Sequence, residues 1–162
     1  MSFYTWQQKI NYRLKAKSRH GVHSPFVYQF IEQVLLSRGV KDLPGLAPVY
    51  KELNQKQQFL VQAIAGHYRI SALVWDNRRF VLGESGGGVL YLAAAPGGLP
   101  GQYAENDIAV ILDVYKDPGQ AKTWRELVES KAVPLSADLF EMGILFFRKE
   151  FKVKQHFILK YR

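Results

Sequence analysis

Cysteine is absent from the 162 residues. That excludes disulfides, thiolate metal sites and thiol nucleophiles, and it suits a reducing cytoplasm, the expected location. No apolar run reaches the roughly 18 residues of a membrane span, so no membrane is expected among the partners. The amino terminus lacks the apolar core of a secretory leader, so the chain reads as the mature protein. Acids are scarce as well: none precedes Glu32, while Lys9, Arg13, Lys15, Lys17 and Arg19 all do. Arg148, Lys149, Lys152, Lys154, Lys160 and Arg162 crowd the other end, and the formal net charge is +8. What is plentiful is core material. With 48% hydrophobic and 14% aromatic residues, a chain of this length can bury a sizeable core, which excludes disorder.

The stretch Phe80–Ala95 resembles a nucleotide-binding loop, with Gly83, Gly86, Gly87 and Gly88 in a row broken only by Glu84 and Ser85. Such a βαβ unit needs a strand, a glycine turn and a helix. It then needs a second strand ending in an acid about 20 positions on, which holds the ribose hydroxyls. Here Pro96-Gly-Gly-Leu-Pro-Gly101 follows, and Glu105 precedes a strand where an acid should end one. Val89–Ala95 fits either a two-turn helix, which would complete the loop, or a strand, which would make Glu84–Gly88 an ordinary turn. The strand is the preferred reading.

The remainder reads as one domain, helical over 1–66 and strand-rich over 67–162. Phe3, Trp6, Ile10 and Leu14 share one helical face, which is expected to pack inward. Ser24 and Pro25 form a helix start, a serine cap followed by proline at the first helical position. Phe26, Val27, Phe30, Ile31, Val34 and Leu35 follow at helical spacing, with Gly39 as the stop. A third helix is expected from Pro48 to Ala65, burying Val49, Leu53, Leu60 and Ile64. Ile70–Trp75 and Arg79–Leu82 read as a hairpin around Asp76-Asn77-Arg78. Ile108–Leu112 reads as a strand covered on both faces. Asp117-Pro118 opens a helix with Ala121, Trp124, Leu127 and Val128 inward, and Gly143–Arg148 with Gln155–Tyr161 reads as a closing pair of strands.

Two segments resemble a known family. Arg19-His-Gly-Val-His-Ser-Pro-Phe-Val-Tyr28 is similar to the HGVHSPF-type opening of a bacterial group of class I S-adenosylmethionine-dependent methyltransferases. Toward the other end, Asp107–Val114 resembles that group's fifth strand and Trp124–Leu127 the helix after it. Asp138–Lys149 and His156–Tyr161 resemble its last two strands. Together these cover about half the chain in the family's order. Gly83-Glu-Ser-Gly-Gly87 stands where the family's first motif would be, and no other central element has a counterpart. The resemblance implies a truncated methyltransferase-like, Rossmann-like α/β domain, its N-terminal helices packed on a mixed sheet that ends in an antiparallel pair.

The function implied is a methyltransferase-related protein that is degenerate, not catalytic, and acts by binding or assembly. No cofactor is expected, or S-adenosylmethionine if the family activity is retained in a small active enzyme. In that case Gly83, Glu84, Ser85, Gly87 and Asp113 are the candidate cofactor contacts. No metal site is expected. Missing central strands imply an uncovered sheet edge and hence a homo-oligomer. A different class of function is non-sequence-specific nucleic-acid binding through Lys9, Arg13, Lys15, Lys17 and Arg19. Tyr4, Trp6, Tyr12 and Tyr28, which alternate with those cations, serve base stacking or core packing. His20 and His23, three apart beside Ser24, serve the helix start.

Overall fold

Short polar side chains open most of the helices by accepting bonds from otherwise free N–H groups. The computed structural model describes residues 1–83 and 86–161, leaving aside the side chain of Pro96. Ser2 accepts from the Thr5 N–H at 3.1 Å and starts α1 (Phe3–Lys15). Ser24 accepts from Val27 and, with Pro25, starts α2 (Pro25–Phe30), which widens into a π turn over Ile31–Leu35. Where one helix is expected over 48–65, there are two, α3 (Ala47–Tyr50) and α4 (Gln55–His67). Asn54 divides them. Its side chain accepts from the Gln57 N–H at 2.9 Å, and the Gln57 side chain accepts from the Asn54 N–H at 3.0 Å. This reciprocal capping box begins a new helix and overrides the continuous apolar spacing. Val49, Leu53, Leu60 and Ile64 are all buried as expected.

The strands then assemble one seven-stranded mixed sheet. β1 (Ala72–Trp75) and β2 (Arg78–Val81) form the expected hairpin. Its turn residues Asp76 and Asn77 have φ of 52° and 57°, left-handed values that match the twist of the flanking strands. β3 (Val89–Ala93) lies parallel to β1, and β4 (Ile108–Leu112) parallel to β3. Asp117 caps α5 (Pro118–Glu129), whose Ala121 and Trp124 are buried. β5 (Leu135–Asp138), β6 (Met142–Phe146) and β7 (Gln155–Ile158) complete the sheet in the order β2-β1-β3-β4-β6-β5-β7.

The closing pair differs from expectation. β6 does not pair with β7; it runs antiparallel to both β4 and β5, and β7 lies parallel to β5 at the edge. Leu135–Asp138 is a further strand, and its polar residues Ser136 and Asp138 are both buried and hydrogen-bonded. The class is nonetheless the expected one, α/β with N-terminal helices on a mixed sheet.

Side-chain alternation along β4 organises the core. Ile108, Val110 and Leu112 join Phe30, Ile31, Leu60 and Ile64 on the face covered by α2 and α4. Ala109 and Ile111 join Trp124, Val133 and Leu145 on the face covered by α5. Both faces are therefore dry, and β4 is apolar throughout. At the far edge Lys17 bridges to Leu159, which brings the two ends of the chain together. Among the described residues no helix is long and apolar enough to cross a membrane.

Candidate functional site

Val89–Ala93 is a strand, so the glycine stretch connects β2 to β3 and no helix follows it. Glu84 and Ser85 lie outside the described residues. The run also spells Gly-x-Ser-x-Gly over 83–87, but a nucleophile elbow turns from strand into helix, and here a strand comes next. Gly87 and Gly88 have packing reasons. A Cβ on Gly87 would stand 1.7 Å from the Arg69 carbonyl oxygen, and one on Gly88 would stand 1.8 Å from that of Asn106. Backbone segments approach too closely there for any side chain. Ser71 Oγ donates toward the Gly87 and Gly88 carbonyls at 3.1 and 3.2 Å. Gly83 and Gly86 differ: their φ values are +105° and +97°, and the space around each is open.

A pocket of about 320 Å³ does border Gly86, Gly87 and Gly88, with Arg69, Asp107 and Arg148 nearby. Two acids line it, Glu105, which accepts from the Lys149 N–H at 3.4 Å and is exposed, and Asp107, which is fully engaged. Asp107 accepts from the Val89 N–H at 2.9 Å with one oxygen and from the Ala104 N–H at 2.7 Å with the other.

Asp113 sits elsewhere. The glycines lie before β3 and beside the start of β4, whereas Asp113 follows the last residue of β4. Five residues of strand put roughly 17 Å between those ends. The structure therefore does not bring Gly83 and Gly87 together with Asp113. Asp113 instead lines a crevice of about 310 Å³ with Thr5, Tyr115, Lys116, Phe140 and Glu141, outside the carboxyl ends of the parallel strands. Its backbone is left-handed, at φ 49°, and its N–H donates to the Glu141 carbonyl at 2.6 Å. Burial first, then the Glu141 charge, raises the Asp113 carboxyl above its ordinary range, and Lys116 opposes them. Glu141 was missed in the sequence because it stands far along the chain; the β5–β6 turn carries it here. Two carboxylates alone make a poor cation site, and no cluster of three potential metal ligands occurs among the described residues.

The chain matches no family model, no curated protein and no solved structure. Its chemistry must therefore be argued from its own residues.

A polar network inside the sheet was also missed. Tyr115 donates its hydroxyl to Asp138, whose other oxygen accepts from the Phe140 N–H at 2.8 Å. Beside it Ser136 Oγ bonds His156 Nδ1 at 2.7 Å. Burial raises the Asp138 carboxyl and the Tyr115 hydroxyl above their ordinary values, and burial lowers the His156 imidazole. The members bond one another, and no buried side-chain N or O is left unpartnered among the described residues. Such a network makes the core around buried Ser136 and Asp138 unique, while His156 stands exposed on the edge strand.

The cations divide into two kinds. Arg13, Lys15 and Lys17 are exposed, while Lys9 is half-buried with its Nζ 5.9 Å from the Phe140 ring. Arg19 pairs with Glu32 at 2.5 Å. Lys17 donates its N–H to Ile158 at 2.8 Å and accepts from the Lys160 N–H at 2.9 Å, so the two basic ends meet at one edge. At the other end Arg148 lies 5.0 Å from the Phe26 ring and Lys154 donates to the Val133 carbonyl at 2.7 Å. Those two are structural. Of the four aromatics, Tyr12 packs on Phe140 with centroids 5.4 Å apart, whereas Trp6 and Tyr28 are exposed. His20 and His23 are exposed beside the Ser24 cap. A larger concavity of about 730 Å³ involves Arg19, Glu32, Arg38, Lys56 and Tyr161. Two of its cations are paired, Arg19 with Glu32 and Lys56 with Glu141 at 3.4 Å.

Proposed function

We propose that this chain is a methyltransferase-related protein that transfers no methyl group and acts by binding or within an assembly. One observation carries the reading: a strand, β3, stands where the helix of a nucleotide-binding unit belongs. Among the described residues, no helix then follows the glycines to aim its free N–H groups at a methionine carboxylate or a ribose. The separation of Gly83 and Gly87 from Asp113 supports the same conclusion. Kinship is supported by where the resembling segments fall: Asp107–Val114 spans β4, Trp124–Leu127 lies in α5, and the antiparallel β6 lies within the tail.

Titration calorimetry with S-adenosylmethionine and S-adenosylhomocysteine is expected to give no binding heat. Tight binding that is lost in a Gly83→Val variant would restore the active enzyme. Gly83 is the residue to change because no other atoms crowd it, and circular dichroism of the variant checks that the strain at its φ of +105° leaves the fold intact.

Assembly is proposed through β2. This strand ends the sheet, carries exposed Arg78, Arg79 and Val81, and among the described residues pairs with no strand on its outer side, where only the Pro44–Leu46 turn approaches the Val81 carbonyl. An antiparallel contact between two β2 strands continues the sheet across a two-fold axis, and the arginines discourage further growth. Light scattering is expected to give a dimer mass that a Val81→Pro variant reduces to that of a monomer. A monomer mass for the unmodified protein across a concentration series would discard the dimer.

A further inference from the structure

Helix α1 is mounted with its apolar side outward. Phe3, Trp6, Ile10 and Leu14 fall within an arc of about 80° at about 100° per residue, the stripe that a helix ordinarily buries. In the fold they are 77, 51, 38 and 81% exposed. The side that meets the body is the polar one, with Tyr4, Thr5, Gln8, Lys9 and Tyr12. Tyr12 donates its hydroxyl to the Leu159 carbonyl and stacks near Phe140, while Lys9 lies over the same ring. These contacts hold the helix in this orientation. With Met1, α1 and its flank supply five of the nine large exposed apolar side chains among the described residues, so the stripe forms a patch.

We propose that α1 docks in the plane of an anionic lipid surface. Charge complementarity selects this occupant. Arg13, Lys15 and Lys17 are exposed on and beyond α1, Lys160 meets Lys17 through the backbone, and no acid occurs before Glu32. An aromatic and aliphatic stripe with cations beside it matches the interface between acyl chains and anionic headgroups, and the acids nearest α1, Asp113 and Glu141, share a crevice with Thr5 on its other side. Phe3 and Trp6, their rings 6.0 Å apart, supply the aromatic end that favours this depth. A second copy of α1 packed in parallel would set the same cations against one another, and one packed antiparallel would leave them without any opposite charge. Nucleic acid would satisfy the cations and stack on Phe3 and Trp6, yet it gives Ile10 and Leu14 nothing to bury against. The expectation from sequence that no membrane is a partner rests on the lack of a spanning segment; a helix lying in the interface needs none. The inference does not depend on whether the chain binds S-adenosylmethionine.

The test is flotation of the full chain with vesicles of phosphatidylcholine alone and with a phosphatidylglycerol admixture. Circular dichroism and light scattering of every variant accompany it. Binding to the anionic vesicles and little to the neutral ones is expected. Replacing Ile10 and Leu14 by Glu is expected to lower partitioning by at least about a hundredfold, through lost apolar burial and added negative charge. Both side chains are exposed, so the circular dichroism spectrum should not change. Lys15→Gln with Lys17→Gln is expected to lower partitioning by about thirtyfold, since each cation near an anionic leaflet contributes about fivefold. A blue shift of fluorescence on vesicle addition, absent in Trp6→Ala, would support insertion of the stripe. No flotation with anionic vesicles would overturn the proposal. Flotation unchanged by Ile10→Glu with Leu14→Glu would also overturn it, leaving only charge attraction. A change of oligomeric mass in that variant without vesicle binding would assign the stripe to a second copy. Binding to duplex DNA that is indifferent to the stripe, without vesicle binding, would assign the cations to nucleic acid.

Discussion

A Gly87→Ala variant is expected to lose most of the protein's stability, by more than about 4 kcal/mol in urea denaturation. The added methyl would stand 1.7 Å from the Arg69 carbonyl oxygen and 2.7 Å from its carbon. Both are backbone atoms, so no rotamer change relieves the clash. Relief requires the α4–β1 connection to move away from β3, and Ser71 Oγ would then lose its bonds to the Gly87 and Gly88 carbonyls. Gly83→Ala offers the contrast. Its surroundings are open, so only the φ of +105° opposes a side chain, at a cost of about 1–2 kcal/mol. The difference between the two tests the reading of the glycine run. A cofactor loop would show its glycine requirement in ligand binding at both positions. A packed strand start shows it in stability, far more at Gly87 than at Gly83. A Gly87→Ala protein within about 1 kcal/mol of the unmodified chain would mean that the close approach to Arg69 is dispensable.

Trp124→Ala is expected to cost about 3–5 kcal/mol in the same measurement. Trp124 is the largest fully buried side chain and the centre of the core beneath α5, where it packs with Ala109, Ile111, Val133 and Leu145. The strand beneath accommodates it through Gly143, where a Cβ would come within 2.5 Å of the indole ring. Large and small residues interlock there, so an alanine leaves a cavity that neither α5 nor β6 can fill without shifting the sheet. A loss below about 1 kcal/mol would show that α5 collapses onto the sheet and that its apolar face is not specifically fitted.

Much of the architecture was legible because local rules and tertiary demands agree along most of the chain. Ser24-Pro25, Asp117-Pro118 and Asp76-Asn77 each solve a local backbone problem, and each stands where the structure starts a helix or turns a hairpin. The apolar run Ile108–Leu112 predicts a strand with both faces covered, and both are. Periodicity failed at Asn54, where a capping box interrupts apolar spacing that continues through it. It failed again at Leu135–Asp138, where polar residues find partners only across the sheet: Tyr115 for Asp138 and His156 for Ser136.

The candidate site was less legible, for a related reason. The glycines and Asp113 are properties of the sequence, but their separation is a property of strand direction. Parallel β3 and β4 carry the glycines to one end of the sheet and Asp113 to the other, and the β5–β6 turn sets Glu141 beside Asp113.

By itself the sequence determined the class of fold, the helix starts, the alternation that makes both sheet faces dry, and a net positive charge concentrated at both ends. Those follow from local hydrogen bonding and from side-chain period, which neighbouring residues settle among themselves. Only the tertiary structure decided which way α1 faces. Its apolar period is unmistakable, yet the anchors that orient it, Phe140 and the Leu159 carbonyl, come from the opposite end of the chain. A stripe reports that a helix has an apolar side, and the contacts made by the other side decide whether that stripe is buried or shown to solvent.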